Sequence, residues 1–276
     1  MMLKKNFAIR MTSSTYYNIR SIYHFFAEFG LDPIKLTRSI IGIPWYLSQA
    51  LIFFRLLERS NIENKSFSLS PSLNDRYDDA GKLDRHYFYQ DLWAARKIYE
   101  ENPIHHIDVG SRVDGFVAHL LTFREVEVLD IRPMSSLTKG MKFRQLDLMN
   151  YNDLPSDICD SISCLHALEH FGLGRYGDPI DPDGYIKGLR SLTKLLQAGG
   201  KLLLSVPVGI EQIKFNSHRI FSPKTILRYT ECDYELISFS YIDDNKTFHE
   251  NVPVENFPSD LIFGCGMFEF RKNVEK

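Results

Sequence analysis

From residue 104 to the C-terminus, short apolar runs of strand length alternate with amphipathic helical segments, and this alternation restricts the fold more than any other feature of the chain. Residues 104–109 read as a strand entering Gly110, and 113–121 as a helix. Residues 125–131, 143–148 and 158–165 read as strands. Residues 185–196 form an amphipathic pattern with Tyr185, Leu189, Leu192 and Leu196 on one side, and Ala198-Gly199-Gly200 is placed to stop that helix. Residues 201–206 make a strongly apolar strand. Ser222-Pro223 opens a further helix with proline at its first position. Residues 234–241 and 261–270 read as two last strands, placed as an antiparallel edge hairpin. Strands and helices alternating at this spacing predict an α/β domain, with a doubly wound, mostly parallel, seven-stranded Rossmann-like sheet.

The 276 residues suffice for one such domain and a helical attachment. The expected division is a helical N-terminal extension and linker over 1–84 and the α/β domain over 85–276. Between residues 14 and 60, Tyr16, Tyr17, Ile22, Tyr23, Phe25, Phe26 and Phe29 crowd one segment, and a nearly apolar stretch runs from 40 to 57. Pro44 and Gln49 are expected to interrupt the second stretch, which argues against a membrane span, and the two segments read as a helical pair packed on the following domain. Arg38, Arg55 and Arg59 flank it, so contact with a membrane surface or a partner protein is the expectation for 14–60. Residues 61–83, rich in Asn, Ser, Pro, Asp and Gly, read as a linker. A helical pattern returns at 87–99.

A net charge of −2 argues against nucleic acid as a partner. The four cysteines form no C-x-x-C pair and read as buried small side chains in a reducing compartment. Lys4 and Lys5 have no apolar run behind them, so a cleaved leader is not expected. The expected location is cytoplasmic, peripheral to the inner membrane face.

The central motif is Ile107-Asp108-Val109-Gly110-Ser111-Arg112-Val113-Asp114-Gly115. A strand ends in an acid, and a glycine turn then opens a helix. In open α/β sheets ligands bind at such strand ends, beside the point where the strand order reverses. Gly110 would let the backbone approach a ligand closely. Asp130, about twenty residues on, is placed to accept from two ribose hydroxyls. Asp147 could accept from an adenine amino group. The turn lacks the second and third glycines of G-x-G-x-x-G, which counts against a dinucleotide.

The order of these pieces over residues 85–270 resembles the class I S-adenosylmethionine (SAM)-dependent methyltransferases. The acid–glycine turn looks like their first motif, and Asp130 and Asp147 look like their ribose and adenine acids. Cys164-Leu165-His166 lies where their fourth-strand motif lies. Within that superfamily, residues 105–115 together with Leu165-His166-Ala167-Leu168-Glu169-His170-Phe171-Gly172-Leu173-Gly174-Arg175-Tyr176-Gly177-Asp178-Pro179 are similar to the DUF268 family. Its members occur in nematodes and bacteria, and the bacterial ones are often linked to surface polysaccharide synthesis. The resemblance implies SAM as cofactor, held by Asp108, Gly110, Ser111, Arg112, Asp130, Ile131, Asp147, Leu148 and Leu165. It implies methyl transfer to a small-molecule or carbohydrate hydroxyl. A nicotinamide-dependent enzyme and a non-catalytic scaffold of the same fold are the alternatives.

His166-x-x-Glu169-His170 is the densest titratable cluster in the chain. It matches an inverted zinc-protease pattern, but Gly172, Gly174 and Gly177 end any helix there at once. His166, Glu169 and His170 are therefore the catalytic candidates, with a histidine as base for a hydroxyl. Alternatives are a structural brace and a divalent-cation site with His218 as a further ligand.

Overall fold

The computed structural model describes residues 26–61, 66–77 and 85–274. The aromatic positions from Tyr16 to Phe25 and the linker residues 78–81 lie outside them. The chain divides into two compact units, Met1–Lys82 and Leu83–Lys276.

In the first unit, helix α1 spans Pro33–Arg59. Asp32 caps it by accepting from the Lys35 amide at 2.9 Å, and Pro33 takes the first turn. The break expected at Pro44 and Gln49 does not occur: the helix is continuous for 27 residues. Pro44 removes one backbone donor, but the turns on either side keep their own hydrogen bonds and carry the helix through. Large apolar side chains project all around it, among them Ile34, Leu36, Ile41, Leu51, Phe53 and Leu56, each more than half exposed. Phe67 stacks on Phe53 at 5.9 Å, and the Arg76 guanidinium lies 4.2 Å over Trp45.

In the second unit, α2 (Arg85–Glu101) precedes β1 (His106–Val109). The predicted helix after the glycine turn is a five-residue π-helical turn, Val113–Val117, which tightens into the short α3 (Ala118–Leu120). There follow β2 (Val126–Asp130), β3 (Met141–Gln145), β4 (Cys159–Leu165), α4 (Gly184–Leu195) and β5 (Leu196–Val208). Next come β6 (Gln212–Lys214), β7 (His218–Ile220), α5 (Pro223–Thr230), β8 (Tyr234–Ile242), β9 (Phe248–His249) and β10 (Gly264–Lys272).

The main sheet runs β3-β2-β1-β4-β5-β10-β8-β9. Strands β1 to β5 pair in parallel, and β10 is antiparallel to both neighbours. This is the expected mostly parallel, Rossmann-like sheet of seven main strands, with the two-residue β9 added at its edge. The last two long strands pair antiparallel as expected, but not as a hairpin at the edge: β9 lies between them in sequence and takes the edge position. β10 inserts between β5 and β8, where its apolar run is buried from Gly264 to Phe270. The helix before β5 closes at Leu195 rather than at the glycines. Gly199 and Gly200 belong instead to an irregular start of β5, where the pairing with β4 shifts register between Cys159 and Ser161. The β6–β7 hairpin was not expected.

Alternate residues of the central strands feed two apolar clusters. Ile107, Val109, Ile162, Leu202 and Leu204 pack with α4 and α5 side chains, whereas Val126, Val128, Leu165 and Leu203 pack with Trp93, Ala94 and Ile98 of α2. Three cysteines are buried as expected; Cys232 is exposed. The strand order reverses direction between β1 and β4, which opens a crevice at their carboxyl ends.

Candidate active site in the crevice between β1 and β4

Gly110 adopts φ +66°, and a Cβ there would stand 2.9 Å from the Ala167 Cβ, so only glycine fits this turn without displacing the chain. Asp108, two residues before it, is completely buried and does not line the crevice. Its carboxylate accepts from the Ser111 amide (3.2 Å), Ser111 Oγ (2.6 Å) and Ser163 Oγ (2.6 Å). Burial lifts its pKa to about 6 against the pull of these bonds.

Because Ser163 gives its proton to Asp108, its oxygen accepts from His106 Nε2 at 3.1 Å. Ser161 Oγ then donates to His106 Nδ1 at 2.8 Å. Burial drives the His106 pKa down to about 3, so this imidazole is neutral. The Leu165 amide donates to Ser111 Oγ at 3.3 Å and ties the end of β4 to the turn. Asp108 thus braces the crevice from beneath. His106, Ser161 and Ser163, three strand residues without a motif, complete the brace; the period-2 pattern that puts them on one face was their only sequence signal.

Asp130 ends β2 at the crevice wall, but its carboxylate is engaged. Arg132 donates to it from its backbone amide (2.8 Å), Nε (3.0 Å) and Nη2 (2.7 Å), and the same guanidinium lies 4.4 Å over the Tyr176 ring. Gly110, Ser111, Arg112, Asp130, Leu165, His166, Glu169 and His170 line a cavity of about 600 Å³. An adjoining narrower slot is lined by Leu129, Ile131, Leu146, Asp147 and Leu148. Asp147 Oδ1 accepts from the Met149 amide at 2.8 Å, and Leu148 is buried. Arg112 pairs with Asp114 and lies 4.9 Å over the Tyr87 ring.

The loop after β4 begins with His166 at φ +50°, a conformation rare outside glycine that clusters at functional sites. His166 Nδ1 is 2.9 Å from Glu169 Oε1, and His170 Nε2 is 3.6 Å from the same oxygen. Burial disfavours the imidazolium, yet contacts with Cys265 and the Glu169 carboxylate outweigh it and hold His166 charged. Burial likewise opposes ionisation of Glu169, but His166 keeps that carboxylate below its usual range. The two form a buried ion pair, and a charged His166 can donate a proton but not accept one.

The other imidazoles nearby are neutral. Burial, then the His166 charge, takes His86 down to about 4; burial, then Lys214, does the same for His218; burial also lowers His170. His170 Nδ1 is 2.7 Å from the Ser217 carbonyl, which can only accept, so Nδ1 carries the proton and Nε2 keeps its lone pair. His218 Nδ1 meets Ser217 Oγ at 2.8 Å. Three buried atoms of cavity-lining residues have no hydrogen-bond partner: His166 Nε2, Glu169 Oε2 and His218 Nε2. Buried orphans of this kind are rare unless a ligand or water completes them.

Arg219, which no motif reading assigned a role, is buried and stitches the loop together. Its guanidinium donates to the carbonyls of Phe171 (2.6 Å) and Pro182 (3.1 Å). Among the described residues no group of three or more His, Cys, Asp or Glu side chains is placed to hold a metal ion. The expected divalent-cation site is therefore not formed by this donor set, whose one central carboxylate is committed to His166.

Residues 119–250 match the family described as "Caenorhabditis protein of unknown function, DUF268". The match contains Asp130, Asp147 and the whole loop after β4. No curated protein matches the sequence. Among solved structures, the chain is similar to the 1,6-didemethyltoxoflavin-N1-methyltransferase of Burkholderia thailandensis, solved with S-adenosylhomocysteine. Identity is 14%, coverage is 68% of this chain and 80% of that one, and the TM-score is 0.47. The N-methyltransferase NodS of Bradyrhizobium japonicum is similar at 12% identity, over 79% of this chain and 97% of that one, with a TM-score of 0.48. The [4+2]-cyclase SpnF is similar at 14% identity, over 68% and 82%, with a TM-score of 0.48. Likenesses at this level carry no information about the reaction, and the fold rests on the strand order itself.

Proposed function

We propose that this protein is a SAM-dependent methyltransferase acting on a hydroxyl of a sugar or surface-polysaccharide precursor. The observation that carries the reading is the crevice itself. A glycine turn open to close approach, an acid at the end of the neighbouring strand and an apolar slot beyond it surround one cavity at the reversal of strand order. These residues fit the cofactor. Gly110, Ser111 and Arg112 would face its methionine part, Asp130 its ribose, and Ile131, Asp147 and Leu148 its adenine, with Asp108 acting from below by holding the turn. When bound, the sulfonium supplies an electrophilic methyl group.

The chain's own part is alignment and proton handling. His166, held charged by Glu169, presents a donor. His170 Nε2, on a neutral ring whose proton sits on Nδ1, is suited to take a hydroxyl proton, and His218 Nε2 is suited to it when Ser217 Oγ accepts from its Nδ1. The sugar acceptor follows the resemblance to bacterial relatives linked to surface polysaccharides and is an analogy of family.

We place the protein at the cytoplasmic face of a membrane, held there by α1. By length and composition α1 could cross a bilayer, with a mean hydropathy of 1.5 over its most apolar window. Its uncharged run, residues 39–54, extends only about 24 Å against a hydrocarbon core of about 30 Å. Lys35, Arg38, Arg55 and Arg59 at the two ends suit anionic headgroups. Flotation with anionic vesicles that is lost in Ile41→Glu and Phe53→Glu and released by carbonate supports surface attachment; resistance to carbonate shows a span instead. The enzymatic reading is tested by labelled-methyl transfer from SAM into cell-envelope carbohydrate extracts, with incorporation expected and its absence across all fractions contradicting the acceptor class.

A further inference from the structure

Among the charged side chains that line the cavity, one differs from the rest. Arg112 is paired with Asp114 and Arg132 with Asp130. His166 is matched by Glu169. Arg175 is different. Its Nη1 donates to the Ser217 carbonyl at 3.0 Å, and its guanidinium lies 5.3 Å over the Tyr176 ring. These contacts orient the group without neutralising it. Among the described residues no carboxylate forms an ion pair with Arg175. Asp178, three residues on, is committed to three backbone amides of its own loop.

The two imidazoles beside this cation add no charge of their own, and the nearby charges of Glu169 and Arg132 are already paired with His166 and Asp130. The imidazoles of His170 and His218 are neutral, chiefly through burial, and Arg175 is among the charges that keep them so. His218 Nε2 is buried without a partner in the same cavity. A guanidinium held by a carbonyl and an aromatic face still has donors free, in a fork geometry matched to a carboxylate or phosphate. It belongs to the loop after β4 and not to the Gly110 turn or the Asp130 strand end assigned to the cofactor, and the Tyr176 ring beneath it also carries Arg132, the partner of Asp130.

We propose that the acceptor carries an ionised carboxylate or phosphate group, and that Arg175 binds it, with His218 beside it in the same cavity. This rests on the methyltransferase reading for the identity of the second ligand but names the acceptor's chemistry independently of it. A uronic acid and a phosphorylated sugar present the same charge to the fork, and the experiment separates them.

Calorimetric titrations of D-glucuronate, inorganic phosphate and D-glucose into the full chain, with and without saturating S-adenosylhomocysteine, test the proposal. At least one anion is expected to bind saturably, with its affinity reduced tenfold or more in Arg175→Gln and partly restored in Arg175→Lys. Glucose should show no dependence on residue 175, and S-adenosylhomocysteine affinity should stay within twofold across the variants. Matching thermal unfolding curves confirm that the variants fold. Anion binding unchanged in Arg175→Gln, or absent from the wild type, overturns the proposal. So does a parallel loss of S-adenosylhomocysteine affinity, which would assign the guanidinium to the cofactor. Anion binding through Arg175 in a chain that does not bind S-adenosylhomocysteine upholds the anion site and overturns the methyltransferase reading instead.

Discussion

Asp130 and Arg132 should respond to substitution with opposite signs. A ribose can reach the Asp130 carboxylate only if the Arg132 side chain gives up two of the three bonds it and its backbone make there. That guanidinium is about half exposed, with 47% of its side-chain surface accessible against 13% for the acid. Separating a pair of this kind costs roughly 0.2–1 kcal/mol. Two hydroxyl donors to a carboxylate return roughly 1.5–3 kcal/mol each before that cost and the immobilisation of the ligand. Asp130→Ala should therefore weaken SAM binding by roughly 1–3 kcal/mol, about 5- to 150-fold in Kd. Arg132→Ala removes the competitor and should tighten binding by up to about 1 kcal/mol, around fivefold. The double variant should resemble Asp130→Ala, because Arg132 has nothing to compete for once the acid is gone. Calorimetry with SAM on the four proteins reads all three numbers. An unchanged Kd in Asp130→Ala would refute the ribose assignment; a tenfold loss in Arg132→Ala would show that the arginine is a ligand of the cofactor and not its competitor.

Removing one member of the buried His166–Glu169 pair should be costly: Glu169→Ala is expected to lose about 3–5 kcal/mol and roughly 10 °C in Tm, read by circular dichroism, and a loss under 1 kcal/mol would show that the pair is not ionised. His106 binds its proton near pH 6.5 when unfolded but only at about 3 when folded, so the unfolded chain takes up more protons between these values and stability falls as pH drops through them. Asp108, raised to about 6, and His166 act in the opposite sense, so the comparison to make is with His106→Gln. The stability gap between wild type and that variant should narrow by about 2 kcal/mol from pH 7 to pH 5 in urea unfolding, and a constant gap would mean that His106 is not buried neutral. If His170 or His218 is the base, His170→Gln or His218→Gln should lower turnover by roughly 10²–10⁴ with S-adenosylhomocysteine affinity unchanged, and full turnover in both would remove the base from this loop.

The parts of the molecule that could be read from sequence are those set by periodicity. The strand and helix alternation after residue 104 places the sheet, and the Gly110 turn and Asp130 come together at the crevice as their positions at strand ends require. What could not be read depends on tertiary partners. Nothing local distinguishes a Pro44 that breaks a helix from one that α1 carries through. The apolar run of β10 looks like any last strand; only its burial on both faces shows that it lies inside the sheet. The role of Asp108 as a buried brace depends on Ser163, which is far from it in sequence, and on a proton order that passes through His106. The charge of His166 depends on Glu169 folding back over it, so a cluster that reads as a base resolves into an ion pair with neutral imidazoles around it. The engagement of Asp130 by Arg132 is local, but an acid and an arginine two residues apart are too common to signal it.

The most direct test of the account is a pair of calorimetric titrations of the wild-type chain, one with SAM and one with NADH. The crevice predicts saturable one-to-one binding of SAM, displaced by S-adenosylhomocysteine, and none of NADH, because the turn at Gly110 lacks the glycines that a dinucleotide pyrophosphate needs. Binding of NADH, or no heat with SAM under conditions where the protein is folded, contradicts it.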